Sequence, residues 1–264
     1  MIDPLELIAP ESRPLTPQPT DAIAKLRKLP GVRYLVWDIY GTLLISASGS
    51  TERKTSRERL LRSLLKSDDL PPFSLEVHLE NLIAQEHARS RKNGISFPEI
   101  EIREIWQRFF ESLSLAPPPD LAEFALRYEL LTNPIWPMPG ALEAMSHPAT
   151  RGVISNAQFY TPLLLKSFEL PRPPRAIYSF EHRTAKPGSP LFHQFLKDGP
   201  APEEILYIGN DRLKDIAPAH EVGMRTAIFA GDRHSFRPRP ERKDLPEPDA
   251  VVTSLAQIPS LLDE

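Results

Sequence analysis

Polar residues that could do chemistry occur at four places in the sequence where an apolar, strand-like run ends. Ligands of open α/β sheets bind in the crevice beyond the carboxyl ends of the strands, so a carboxylate at such a position can act on a ligand. A hydroxyl group beside a backbone amide could bind an oxyanion at a second strand end. The residues concerned are Asp38 with Gly41 and Thr42, then Ser155 with Asn156, then Lys186, and finally Asp211 with Asp215.

The elements expected to position these residues alternate between strand and helix. Alternating units of this length predict an α/β fold, a Rossmann-like parallel sheet with helices on both faces. Strands are predicted at 34–38, 152–155, 176–179, 205–209, 226–229 and 250–252, and helices at 158–169, 189–197, 213–222 and 254–262. Because parallel strands end at the same edge, the four polar segments are expected to meet there.

A helical insert interrupts this alternation between residues 51 and 146. Apolar residues recur at helical spacing in four segments separated by prolines, the first containing Leu60, Leu61, Leu64 and Leu65. This pattern predicts a separate all-α domain at 51–146, and an α/β core at 21–50 and 147–264.

Three other segments carry weaker expectations. Residues 1–20 contain five prolines and no periodic pattern, which predicts an extended N-terminal arm. Asp21 is expected to cap a short helix that runs to Leu29. The stretch 232–249 is rich in Arg, Lys and Pro, and its charges are expected to face water in a long loop.

Composition excludes several classes of function. The 264 residues carry a net charge of −3 and no cysteine, which excludes disulfides, thiolate metal sites and cysteine nucleophiles. Whole-molecule charge gives no argument for a nucleic-acid or membrane partner. No run approaches the roughly 20 apolar residues of a membrane span, and the acidic, Pro-rich N-terminus is unlike a signal peptide. We therefore expect a cytoplasmic protein with a small-molecule ligand; the sequence does not predict its oligomeric state.

The order and spacing of the polar segments resemble the four motifs of the haloacid dehalogenase-like (HAD) hydrolases. In that superfamily a nucleophilic Asp is followed by Ser or Thr, then Lys, then an acidic pair. The resemblance extends from Val32 to about Gly231, and its first motif reads Asp-Ile-Tyr-Gly-Thr-Leu here. It implies the α/β core predicted above, with the insert at 51–146 as the cap domain of the family.

The resemblance also implies a role for each polar residue. Asp38 would be a nucleophile that forms a covalent aspartyl intermediate, and Lys186 would orient it and supply positive charge. Asp215 would steady the metal site or Lys186, although it could also be an ordinary acid in the first turn of a helix. The implied catalytic set is Asp38, Tyr40, Thr42, Ser155 and Lys186, and the implied substrate-binding set is Ser155, Asn156, Lys186, His87 and Arg91.

A magnesium ion is the implied cofactor. Mg²⁺ prefers oxygen ligands, which the carboxylates of Asp38 and Asp211 and the backbone carbonyl of Tyr40 would provide. It would offset the charge of a phosphoryl group that approaches the nucleophile.

Tyr40 is the main departure from the phosphatases of the family, which have a second Asp at this position as general acid and base. An unperturbed phenol with a pKa of ~10 is a poor base at neutral pH. Three interpretations follow. The first is a Mg²⁺-dependent hydrolase of a small phosphorylated metabolite with a good leaving group. The second is a 2-haloacid dehalogenase, since those enzymes have Asp-x-Tyr-Gly-Thr-Leu and need no metal, although their fourth motif resembles Ser-x-Asn-x-x-Asp. The third is a catalytically weak protein that binds a phosphate ligand.

Overall fold

The computed structural model describes residues 4–46, 54–65 and 70–263, and its centre is a six-stranded parallel sheet. The strands in the described segments are β1 (Tyr34–Trp37), β2 (Leu44–Ser46), β3 (Ile135–Pro137), β4 (Thr150–Ser155), β5 (Arg175–Tyr178), β6 (Ile205–Gly209), β7 (Arg225–Phe229) and β8 (Ala250–Val252). The order across the main sheet is β5-β4-β1-β6-β7-β8, and β2 and β3 form a small antiparallel pair. The predicted α/β fold is therefore confirmed.

Ten α-helices lie in the described part of the chain. They are α1 (Pro4–Glu11), α2 (Lys54–Leu65), α3 (Leu75–Lys92), α4 (Ile102–Ser112), α5 (Leu121–Thr132), α6 (Ala141–Ser146), α7 (Thr161–Ser167), α8 (Ser179–His182), α9 (Pro190–Leu196) and α10 (Ala217–Glu221). Short 3-10 helices cover Pro202–Glu204 and Leu255–Leu261, and one turn of π-helix covers Arg212–Ile216. No helix in these described segments is long and apolar enough to cross a membrane.

Strand β1 is central and its side chains alternate between two hydrophobic clusters, as the two-residue period of a strand requires. Leu35 and Trp37 belong to the larger cluster, which also contains residues of α1, α6 and α7. Val36 belongs to a second cluster with residues of α9 and α10. The sheet thus carries helices on both faces, and its strands are almost wholly apolar, as is typical of buried parallel strands.

Helices α2 to α5 share a hydrophobic cluster of their own. Trp106 lies at its centre, and its ring contacts those of Phe109, Phe124 and Tyr128 edge-on at centroid distances of 5.0 to 5.3 Å. The C-terminal part of the predicted insert is different, because Ala141 of α6 is buried in the large cluster of the α/β part. The domain boundaries proposed from the sequence stay a prediction.

The expectation of an extended N-terminal arm is wrong for residues 4–11, whereas residues 12–20 contain no helix or strand, as expected. Residues 4–11 form α1, and Leu7 and Ile8 are buried in the large cluster; residues 1–3 lie outside the described part. The helix expected after Asp21 is also absent from the described chain. Instead Lys25 pairs with Val251 of β8 through two backbone hydrogen bonds, since an edge strand offers unpaired backbone groups.

The loop at 232–249 does not simply face water. The backbone N–H of Arg237 donates to the carbonyl of Asn210 at 2.9 Å, and the N–H of Arg212 donates to the carbonyl of Arg237 at 3.0 Å. These bonds hold the loop against the end of β6. Most charged side chains of the loop are exposed, as expected, but its backbone completes hydrogen bonds that β6 and the π-helix leave unmade.

Candidate active site

Asp38 follows the central strand and is buried, with 5% of its surface exposed. Its Oδ1 accepts hydrogen bonds from Ser155 Oγ at 2.8 Å and from Lys186 Nζ at 2.7 Å. Burial raises the pKa of Asp38 to about 6, although the charge and hydrogen bond of Lys186 act in the opposite direction. The carboxyl is therefore mostly ionised at neutral pH, as a nucleophile must be.

Lys186 links Asp38 to a second carboxylate. Its Nζ lies 2.5 Å from Asp215 Oδ1 and 3.0 Å from the hydroxyl of Tyr207. Burial alone would lower the pKa of Lys186, but Asp215 and Asp38 outweigh it and raise the pKa. The lysine is thus a fixed cation that orients Asp38, rather than a base.

Asp215 is held from the backbone side as well. Its Oδ2 accepts the N–H groups of Asn210 at 3.0 Å and Asp211 at 2.9 Å. Gly209 permits this close approach, since a Cβ there would lie 2.4 Å from the Cβ of Asp215. The structure places Asp215 against Lys186, in agreement with one of its two sequence interpretations.

Asn156 and Thr42 do not bond Asp38 in this structure but contact residues beside it, Lys186 and Asn210. The side chain of Asn156 accepts the N–H of Lys186 at 2.7 Å and donates to the carbonyl of Lys186 at 3.1 Å. Thr42 is fully buried and its hydroxyl donates to Asn210 Oδ1 at 3.4 Å. Gly41, with φ +83°, makes room for Asn210, because a Cβ on Gly41 would lie 2.7 Å from Asn210 Nδ2.

Tyr40 shares the crevice but is a poor acid or base. Its hydroxyl lies 2.8 Å from Thr161 Oγ1. Burial raises the pKa of Tyr40 further above its ordinary value, so the phenolate is inaccessible at neutral pH. The proton transfer that a second aspartate would provide has no replacement in Tyr40.

Asp211 is engaged by an arginine that the sequence pattern did not single out. Its two carboxylate oxygens accept hydrogen bonds from Arg239 Nε at 2.7 Å and Nη2 at 2.6 Å. Asp211 Oδ1 also accepts the N–H groups of Leu213 and Lys214. Burial acts to raise the pKa of Asp211, but Arg239 and these amides hold it below its usual range.

The oxygen atoms predicted to bind magnesium do not fit a magnesium site in this arrangement. Asp38 Oδ1 is shared by two donors, and both oxygens of Asp211 face a guanidinium. Among the described residues no group of three or more His, Asp or Glu could hold a metal ion.

A crevice of about 370 Å³ lies beside Asp38. Lys186, Lys214 and Arg237 bring positive charges to its lining, while Glu99 and Glu129 come from the helical insert. Burial raises the pKa of both glutamates and favours their neutral forms. The crevice therefore has cationic groups for an anionic part of a ligand.

Two residues of the insert were predicted to bind substrate. His87 does not line the crevice beside Asp38, but it lines a second cavity of about 400 Å³ under the helices of the insert. Arg91 is exposed near the end of α3 and lines neither of these two described cavities. Its predicted role in substrate binding stays a prediction.

Sequence reasoning missed several residues of the site. The hydroxyl of Tyr207 donates to the backbone carbonyl of Ile154 and accepts from Lys186 Nζ. In the sequence, Tyr207 looked like one more apolar residue of β6. Asn210 directly follows Gly209, the last residue of β6, and this position at a strand end could have identified it as a site residue. Arg239 gave no such signal, because it lies 28 residues after its partner Asp211.

The fold and the site together define a class of protein. The central strand of a parallel sheet ends at a buried aspartate, which is paired with a lysine from a later strand–helix connection. A helical insert follows that strand and contributes to the crevice. This arrangement resembles that of the HAD-like hydrolases.

Comparisons with known proteins agree with this class. A family model described as HAD-hydrolase-like matches residues 183–258, which contain Lys186, Asp211 and Asp215 but neither Asp38 nor Ser155. None of the curated proteins compared with the chain matches it.

Solved structures share the fold over most of the chain. A 2-haloacid dehalogenase from Pseudomonas syringae pv. Tomato DC3000 is 16% identical, with a TM-score of 0.56, over 87% of this chain and 97% of its own. An L-2-haloacid dehalogenase from Xanthobacter autotrophicus, with chloropropionic acid covalently bound, is 18% identical, with a TM-score of 0.54, over 87% and 98%. A HAD phosphatase from Thermococcus onnurineus is 19% identical, with a TM-score of 0.48, over 86% and 96%. The two dehalogenase structures show the shared fold, and the family model confirms the resemblance to the HAD-like hydrolases over residues 183–258.

Proposed function

We propose that this protein is a metal-independent hydrolase in which Asp38 displaces a leaving group that departs as a stable anion, as in the hydrolysis of a 2-haloacid. The observation that carries the proposal is the two-point contact of Arg239 with Asp211. A guanidinium already neutralises the carboxylate that a magnesium ion would need. This contact favours the dehalogenase interpretation over the phosphatase interpretation of the sequence.

The proposed reaction has two steps. A carboxylate oxygen of Asp38 attacks the carbon that bears the halogen, so that a C–O bond forms and the C–halogen bond breaks, with the electron pair leaving on the halide. Water then attacks the carbonyl carbon of the resulting ester, which releases the hydroxy acid, regenerates the carboxylate and frees one proton to solvent. The halide leaves without a proton, and in the second step the attacking water supplies the proton that the departing alkoxide takes up, so Tyr40 is tolerated in place of an acid.

The remaining residues of the site have consistent roles in this scheme. Lys186 and Ser155 both bond Oδ1 of Asp38 and so fix the carboxylate in one orientation. A positioned nucleophile loses less entropy on reaching the transition state. Lys214 and Arg237, which line the crevice, are available to bind the carboxylate of the substrate. The covalently bound chloropropionic acid in the Xanthobacter autotrophicus structure is chemistry of the proposed kind in a protein of the same fold.

The second candidate is a hydrolase of a phosphorylated metabolite with a good leaving group, for which magnesium would be the expected cofactor. The cationic part of the crevice favours it, because Lys186, Lys214 and Arg237 suit a phosphoryl group as well as a carboxylate. Burial of the Tyr40 hydroxyl restricts this candidate to leaving groups that need no proton, such as those of acyl phosphates.

A substrate panel separates the candidates. We expect chloride release from 2-chloropropionate that is unaffected by EDTA and is abolished in Asp38→Asn, since the amide cannot attack carbon. Asp21→Asn serves as the control, because the side chain of Asp21 is 95% exposed. Phosphate release from acetyl phosphate that needs added Mg²⁺, without chloride release, would support the second candidate. Binding of inorganic phosphate with no turnover of either substrate would instead indicate a ligand-binding protein.

A further inference from the structure

Residues 97–104, which we call the bridging segment, lie between α3 and α4 and in the first turn of α4. They contact two stretches of the α/β part that carry residues of the candidate active site. The first, which we call the β4 loop, is 155–158 and begins at the last residue of β4. The second, which we call the lysine segment, is 183–186 and ends at Lys186. One part of the helical insert therefore contacts both stretches.

The bridging segment pairs with the lysine segment through backbone and side chains. The N–H of Ala185 donates to the carbonyl of Phe97 at 2.7 Å. The N–H of Glu99 donates to the carbonyl of Arg183 at 3.1 Å. The guanidinium of Arg183 also donates to both carboxylate oxygens of Glu104, at 2.7 and 2.5 Å. These bonds hold the backbone directly before the lysine that bonds the nucleophile.

The side chain of Glu99 holds the β4 loop. Its Oε2 accepts a hydrogen bond from Ser179 Oγ at 2.7 Å, and Ser179 Oγ accepts the N–H of Ala157 at 2.9 Å. Its Oε1 accepts the N–H of Ile100 at 3.0 Å and lies 3.4 Å from Gln158 Nε2. Glu99 therefore contacts the β4 loop both directly and through Ser179.

The β4 loop in turn holds the reacting groups. Ser155 Oγ donates to Asp38 at 2.8 Å. The side chain of Asn156 accepts the N–H of Lys186 at 2.7 Å and donates to its carbonyl at 3.1 Å. The residue after Asn156 is the one whose N–H is bound as described above. A continuous set of contacts thus runs from Glu99 to the nucleophile and its lysine.

Glu99 reaches both stretches, the lysine segment through its backbone and the β4 loop through its side chain. Its carboxyl makes no hydrogen bond to Asp38 or Lys186 in the described structure, so its effect on them passes through other residues. We propose that Glu99 is a positioning residue, which holds the β4 loop in place around Asp38. A misplacement of about 1 Å can cost about a hundredfold in rate. This inference rests on the proposed function only for the reaction whose rate is measured.

Glu99→Ala removes the carboxyl that holds the β4 loop. We expect kcat for chloride release to fall at least about tenfold, with KM changed by less than about threefold, because groups around the nucleophile are displaced. The acidic limb of the pH profile should move to higher pH, since Lys186 lowers the pKa of Asp38 and would no longer be held beside it. A substitution that only destabilised the fold would not move the limb.

Glu99→Gln should restore the wild-type behaviour. The amide has the size of the carboxyl, and it can accept the N–H of Ile100 with its oxygen and donate to Ser179 with its nitrogen. Ser179 can then donate to the carbonyl of Ala157, which lies 3.2 Å from its Oγ. We expect kcat within about twofold of the wild type and an unmoved acidic limb.

Glu101→Ala is the matched control from the same segment. Glu101 caps α4, since its Oε1 accepts the N–H of Arg103 at 3.1 Å and Nε of Arg103 at 2.9 Å. It does not line the crevice beside Asp38. Loss of a helix cap lowers stability, so the thermal unfolding midpoint should fall while kcat and the acidic limb stay unchanged.

Hydrogen exchange tests the same inference without catalysis. In Glu99→Ala the amides of Ala157 and Lys186 should exchange at least about tenfold faster than in the wild type, whereas Glu99→Gln and Glu101→Ala should leave them unchanged. If the wild type turns over neither substrate, the exchange result alone decides the inference, so its failure and that of the proposed function are distinguishable.

If Glu99→Ala does not fold, as judged by circular dichroism, Ser179→Ala replaces it with the same expectations, because it breaks the same link to the β4 loop. Unchanged exchange and an unmoved acidic limb in the alanine variant would overturn the proposal. So would an equal loss of kcat in Glu101→Ala or in Glu99→Gln.

Discussion

Two opposing effects act on the carboxyl of Asp38. Burial raises its pKa, and the charge and hydrogen bond of Lys186 lower it, with a net value of about 6. Asp215 pairs with the other side of the lysine. Removing the lysine would leave two buried carboxylates without a counter-charge, a change that typically costs about 3–5 kcal/mol when a buried pair is broken. At the residue scale, Asp38, Lys186 and Asp215 therefore depend on one another for charge compensation and do not act as independent groups.

The pKa of Asp38 predicts an acidic limb in the pH profile of activity. Attack requires the ionised carboxylate, so kcat/KM should be level above about pH 7 and fall as pH drops through about 6, approaching tenfold per pH unit. The pH dependence of stability runs in the opposite direction to that of activity. Because folding raises the pKa of Asp38, its contribution to the free energy of unfolding is present below its ordinary pKa and is lost as the pH rises through about 6. Initial rates between pH 4.5 and 8 measure the limb.

Ser155→Ala tests the assignment of that limb. The hydroxyl of Ser155 bonds Asp38 and helps to lower its pKa, so its loss should move the limb to higher pH. A limb that stays unchanged in Ser155→Ala, or a wild-type profile without a limb near pH 6, would contradict the assignment to Asp38.

At the scale of elements, the loop at 232–249 determines what the end of β6 can bind. Its backbone pairs with Asn210 and Arg212, and its Arg239 holds both oxygens of Asp211. The side chain of Asp211 is only 9% exposed and that of Arg239 is 28% exposed. This loop therefore supplies a fixed cation where the sequence interpretation expected a metal ion.

Arg239→Ala should release Asp211 from this contact. We expect a loss of about 1–3 kcal/mol of unfolding free energy, typical of a charge-assisted hydrogen bond with a partly buried partner. Because Asp211 then lacks a counter-charge, added Mg²⁺ should raise the thermal unfolding midpoint of the variant while leaving that of the wild type unchanged. Differential scanning calorimetry measures both effects in the absence of Mg²⁺ and at a Mg²⁺ concentration about a hundredfold above the Kd expected for a weak site.

Arg242→Ala is the matched control from the same loop. Arg242 pairs with Asp244, and both side chains are well exposed, at 44% and 63%. Exposed ion pairs contribute little, so this variant should behave like the wild type. A magnesium-dependent shift in the wild type itself would show that Arg239 does not displace the cation.

At the scale of the whole molecule, the core draws on residues far apart in the chain. The N-terminal helix α1 buries Leu7 and Ile8 in the cluster that also contains Leu126 of α5 and Leu164 of α7. The next segment is tied to the far end of the chain, since Gln18 and Thr20 bond Asp232 and Ala230. The N-terminal segment is thus part of the folded unit.

Ile8→Ala measures this contribution. Ile8 is fully buried, and such a truncation in a core typically costs about 2–5 kcal/mol. Ile23→Ala is the control for the same change at a surface position, because Ile23 is 84% exposed, and it should leave stability within about 0.5 kcal/mol. Urea unfolding compares the two. Equal stability of both variants would mean that α1 does not pack as described.

The sequence alone predicted the parallel sheet and the placement of Asp38 at the end of one of its strands. Strands at 205–209 and 250–252 were predicted with the observed bounds. Asp38, Ser155, Lys186 and Asp215 were also identified, and the structure brings all four together. This was possible because buried parallel strands have continuous apolar runs and end at one edge of the sheet, so both features are local in the chain.

Only the tertiary structure decided which charges meet. The contact of Arg239 with Asp211 comes from a loop without periodic pattern, and the pairing of residues 25 and 251 replaces a helix that local signals favoured. The packing of α1 against the core is of the same kind. Such contacts join segments distant in sequence, and their energies depend on burial and on the geometry of the partner. Neither quantity can be read from residue type or spacing, so the contact of Arg239 with Asp211, a predicted metal ligand, was visible only in the folded chain.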